Sequence, residues 1–144
     1  MRGRGFLLII ILIAAGAACA RSETLQELIE RANKASIGQQ PGLYTEIAER
    51  QLQTADHMYG NGQVDVARAA VTDVVTYSDK ASDAATHERG KIKTTEIAIR
   101  KMAVKLRDIQ RSLAFEDQQP VQAAAEHLEG LRAGLLSRMF AKDH

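Results

Sequence analysis

One hydrophobic phase runs unbroken through the middle of the chain. Alternating steps of three and four residues from Val64 meet Ala67, Val71, Val74, Ser78, Ala81, Ala85 and Glu88, then Ile92, Thr95, Ile99, Met102, Leu106, Ile109 and Leu113. Positions at this spacing form one stripe along an α-helix and never share a face of a strand. The stripe is strongly apolar at 64–74 and 92–113, and small or polar from Ser78 to Glu88. Gly90 is the only breaker, and it lies off the stripe. A loop there would be free to lose register, so the phase predicts one long central helix, about 63–114, close to ~76 Å in length at ~1.5 Å per residue. One exposed glycine costs such a helix only ~1 kcal/mol. The alternative is a hinge at Gly90 that folds the chain into a four-helix bundle.

Helices with matching seams flank this one. Thr24-Leu25-Gln26-Glu27 is a capping box, and its helix should fade near Ser36–Gly38. Gln39-Gln40-Pro41-Gly42 reads as a turn. A second helix is expected from about Leu43 to Tyr59, with Tyr44, Ala48, Leu52, Ala55 and Tyr59 on one face. Gly60-Asn61-Gly62 stops it and returns the chain antiparallel, bringing Ala55 to Ala67 and Ala48 to Val74. Phe115 to Pro120 reads as a loop, with Pro120 in the first turn of the last helix. Val121, Ala124, Leu128, Leu131, Leu135 and Met139 share that helix's face, and a tight hairpin pairs Leu106 with Leu128 and Ile99 with Leu135. The expected fold is all-α: two antiparallel helical hairpins sharing the central helix.

The first twenty residues read as an address. Two arginines in Met1–Gly5 precede the apolar run Phe6–Ala20, which ends at Arg21. A basic start, a short apolar run and small residues at its end mark a secretory signal peptide. The run spans about 22 Å as a helix, short of a ~30 Å hydrocarbon core. The expected organisation is a signal peptide, 1–20, and one helical domain, 21–144, exported to the periplasm or cell envelope. Two cleavage chemistries fit. Ala18-Cys19-Ala20 is an A-x-A site, whereas Gly16-Ala17-Ala18-Cys19 resembles a bacterial lipobox, which would make Cys19 the acylated first residue. Removing 1–20 takes two of the 19 basic residues and leaves 17 against 18 acidic ones, so a net charge of +1 becomes −1. Neither value draws the chain as a whole toward a polyanion.

Ala55, Tyr59, Gly62, Ala67, Val71 and Val74 resemble the core pattern of a single tetratricopeptide repeat, over about residues 44–78. The resemblance implies a helix pair with a small-residue crossing. No second copy of the pattern follows, and a peptide-binding superhelical groove needs stacked repeats. The remainder resembles small exported bacterial helical proteins, which implies a location and no activity.

Catalytic and metal chemistry have little to work with. His57, His87, His127 and His144 include no pair three or four residues apart, and the single cysteine supports neither a disulfide nor a thiolate zinc cluster. There is no nucleophile elbow, P-loop or dinucleotide fingerprint. A non-enzymatic chain with no cofactor is expected.

Two features stand above this background. Residues 91–111 carry seven cations against Glu96 and Asp108, a local net of +5. Lys93, Arg100, Arg107 and Arg111 fall on one stripe, and Glu96 is spaced to pair with Arg100. This stripe is either a solvated face balanced by Glu126 and Glu129, or a contact for an acidic protein or an anionic envelope surface. Nucleic acid is disfavoured, because no aromatic residues interleave the cations. The second feature is the smooth patch of Ala81, Ala84 and Ala85, a candidate surface for docking the Thr24–Ala35 helix or a second copy of the chain. The expected function is therefore an exported helical interaction or scaffold protein, with protein partners or self-association. The alternative is a membrane-surface or lipid-anchored envelope module that uses the basic face.

Overall fold

The structure is a computed structural model that describes residues 22–141; the expected signal peptide 1–20, with Cys19, and His144 lie outside the described residues. Five helices follow one another: α1 (Leu25–Lys34), α2 (Gln40–Gly60), α3 (Val64–Thr86), α4 (Arg89–Ser112) and α5 (Phe115–Phe140). No strand occurs among the described residues.

Local chemistry accounts for some of the helix ends. The capping box forms as expected: the Glu27 amide donates to Thr24 Oγ1 at 3.2 Å, and the Thr24 amide donates to Glu27 Oε2 at 2.8 Å. Two expected boundaries move. Pro41 and Gly42 sit inside the first turn of α2, where proline's missing N–H would have had no partner in any case. The expected loop 115–120 is helical, and Pro120 lies within α5. There the lost bond concerns the carbonyl of exposed Glu116, which water can satisfy. Gly62 is the one described residue with positive φ, at 72°, and it turns the chain from α2 into α3.

The single central helix 63–114 does not form. The chain breaks at His87–Glu88, where Glu88 takes φ −133° and ψ 88°, and the hinged arrangement is the one adopted. The hinge lies just before Gly90, which is already inside α4 and faces open space. The reason is packing. Between Ser78 and Glu88 the seam is too small to gain much by staying extended, whereas folding back buries Ile99, Met102 and Leu106 against the first hairpin's core. Each large side chain so buried contributes about 1.5–3 kcal/mol, more than the few helical bonds lost at the break. Gly90→Ala should therefore raise stability, by up to about 1 kcal/mol, in thermal or denaturant unfolding. A loss of stability would place the hinge at Gly90 after all.

The two hairpins stack in parallel. Two ion pairs and one histidine–carboxylate hydrogen bond cross between them: Lys105 Nζ to Asp56 Oδ2 at 2.6 Å, Arg68 Nη2 to Asp117 Oδ1 at 2.8 Å, and His127 Nε2 to Asp79 Oδ1 at 2.7 Å. Their partners are separated by 49, 49 and 48 residues. A constant separation requires α4 to run alongside α2 in the same direction, and α5 alongside α3. One core spans all four helices and includes Val71, Val74, Ile99, Leu106, Leu128 and Leu135. A smaller cluster of Leu28, Ala32 and Ile47 fixes α1 to α2, with Tyr77 of α3 at its edge.

Candidate functional site: the groove between α2 and α4

In this stack α3 touches α2, α4 and α5, whereas α2 and α5 do not meet. α2 and α4 are held only lightly, so a groove opens between them. Its wider part, about 970 Å³, is closed at one end by Arg31, Lys34 and the α1–α2 connection. A shallower part, about 320 Å³, continues to Asp56 and Lys105, and Glu49 lines both. The floor is apolar and small, from Pro41 and Ala98 to Leu52 and Met102.

Charge along the groove is divided into held and free groups. Arg31 bonds Glu23, Arg50 bonds Glu46, and Lys105 bonds Asp56. The hydrogen bond that Arg31 donates to Glu23 raises the Arg31 pKa and keeps its charge fixed. Lys34, Lys91, Lys101 and Glu49 have no ion-pair partner among the described residues and are exposed. Such groups, at the rim of an apolar floor, suit the recognition of another chain's polar backbone and charged side chains. The lining residues include no histidine, cysteine or serine.

The residues singled out from sequence fall elsewhere. Ala81 and Ala85 are fully buried and Ala84 nearly so, which corrects the reading of these alanines as a surface for a second copy. Nor does α1 cover them, since it packs on α2. Glu96 is turned inward, 6% exposed, and accepts from Arg132 of α5 at 2.8 Å rather than from Arg100. This bond raises the Arg132 pKa and fixes its charge. Glu126 accepts from Gln122 and Glu129 faces Arg132 at 3.5 Å, so neither balances the basic stripe. Arg111 meets Asp108 of its own helix. Lys93, Arg100 and Arg107 remain exposed and without an ion-pair partner among the described residues.

The histidines separate likewise. His57 pairs with Asn61, His127 with Asp79, and His87 marks the α3–α4 break. No group of three metal-capable side chains occurs among the described residues. No described helix is long and apolar enough to cross a membrane.

The groove was missed because it depends on stacking, yet a signal for stacking exists. Thr45-Glu46-Ile47-Ala48-Glu49-Arg50 in α2 returns as Thr95-Glu96-Ile97-Ala98-Ile99-Arg100 in α4, 50 residues on. That spacing lies within two residues of the separation of the cross-hairpin pairs. Comparison with known proteins adds no assignment: no family model, curated protein or solved structure matches the chain.

Proposed function

We propose that the chain is an exported, non-enzymatic helical interaction protein that holds an extended segment of another protein in the α2–α4 groove. The observation that carries this reading is the groove itself, an open channel with an apolar floor and free charges at its rim. From Pro41 to Asp56 it runs about 22 Å at ~1.5 Å per residue, which accommodates about seven extended residues at ~3.3 Å each. The tetratricopeptide-like reading of the first hairpin rests on its sequence pattern. Export rests on the N-terminal pattern, and a lipid on Cys19 would tether the module to the envelope. The intact mass of the exported protein reads that lipid directly.

A photo-crosslinking side chain at Thr94, which is exposed on the groove wall, tests the reading. It should capture a defined protein partner. Filling the channel by Ala98→Trp, or reversing Lys91 to Glu, should lower the captured amount about tenfold, equivalent to ~1.4 kcal/mol of affinity. Identical products from a crosslinker at Ala133, on the far helix, would refute the groove as the contact.

A further inference from the structure

We propose that the outer face of α4 and the Phe115 tip dock the protein on a bilayer containing anionic lipids. This surface is separate from the groove. Lys105 on the groove flank reaches Asp56 of α2, while Glu96 on the opposite flank reaches Arg132 of α5. Arg100 follows Glu96 by one turn and so lies on that second flank, with Arg107 two turns further along.

Two independent observations define the surface. The first is unbalanced charge. Lys93, Arg100 and Arg107 have no partner among the described residues, while the nearby acids are already held: Glu96 and Glu129 by Arg132, and Asp108 by Arg111. The second is exposed apolar surface in the same strip. Val104, 52% exposed, lies one turn beyond Arg100 and one turn before Arg107. At the end of α4, Phe115 is 88% exposed.

A single exposed phenylalanine is common on a protein surface; here it stands beside a row of cations with no partner. Cations in a row with aliphatic and aromatic side chains match the bilayer interface. Lipid phosphates take the guanidinium groups, and Phe115 and Val104 enter the acyl boundary. An acidic protein would complement the same charges, and the polyglutamate competition below separates it from a bilayer.

The test is co-sedimentation of the full chain with neutral phosphatidylcholine vesicles and with mixed phosphatidylcholine–phosphatidylglycerol vesicles. The apolar run 6–20 binds both vesicle types, and Arg2 and Arg4 beside it add some anionic preference of their own, so the readout is the change that the α4 and Phe115 variants make in that preference. That preference should be present in the unaltered chain and fade as salt rises. Arg100→Glu with Arg107→Glu should lower it about thirtyfold, near fivefold for each cation lost. Phe115→Ser should lower binding about tenfold while leaving the salt dependence in place. All three positions are exposed, and circular dichroism confirms folding of each variant. Equal binding to both vesicle types would overturn the proposal, as would an unchanged Phe115→Ser. So would tight binding to polyglutamate that competes fully with the vesicles, since that assigns the strip to an acidic protein.

Discussion

Leu106→Ala should lower the unfolding free energy by about 2–5 kcal/mol, a large share of the ~5–15 kcal/mol typical of a domain this size. Leu106 is fully buried and belongs to the core shared by α2, α3, α4 and α5. Truncation removes apolar contact and leaves a cavity among four packed helices, where close packing limits collapse. Val104→Ala, two residues earlier on the same helix, should change stability by no more than about 0.5 kcal/mol, because that side chain is 52% exposed. Denaturant unfolding of the two variants reads the difference. Equal losses would mean that α4 is rotated relative to the arrangement described here.

Ala81→Leu carries the second large effect, a loss of about 1–3 kcal/mol from overpacking. Ala81 is fully buried in α3, and Ala84 and Ala85 beside it are closed over by the chain itself. Three extra heavy atoms have nowhere to go without moving a neighbouring helix. The variant should unfold more readily and keep its association state. If Ala81 instead faced a second copy, the larger side chain would alter self-association and leave the isolated chain's stability nearly untouched.

The seam from Val64 to Leu113 was legible because burial leaves a period in the sequence. Ala67, Val74, Ile99 and Leu106 all reach the core from it. The capping box at Thr24 and the turn at Gly62 were legible for a different reason: each is a local rule satisfied within a few residues. What periodicity cannot convey is a bend that keeps phase. His87 and Glu88 break the helix without shifting the stripe, so the residues before and after them read as one helix although they fold against each other. The alanine patch misled because an uncovered seam and a seam covered by a helix folded back look alike in sequence.

Charges were harder still. Glu96 sits at pairing distance in sequence from Arg100, yet it faces α5 and meets Arg132. Helical spacing does not choose between a neighbour one turn away and one on another helix. The repeated Thr-Glu-Ile-Ala segment has the same limit. Ile47 is fully buried and Ile97 only half-buried, because α2 and α4 present different faces to the core. The groove emerges only once the two hairpins are stacked, and no single residue announces it.

The groove, the exposed face of α4 and the burial of the alanines all follow from one arrangement, α4 lying parallel to α2. Spin labels at Asp56→Cys and Lys105→Cys, in a chain carrying Cys19→Ala, measure it by pulsed electron resonance. The native side chains there approach to 2.6 Å. Adjacent packed helices have axes ~8–10 Å apart, so the labels should lie within about 20 Å of each other. In a single helix spanning 63–114, Lys105 would stand some 40 residues beyond the point opposite Asp56, and a separation near ~60 Å would contradict the stacked arrangement.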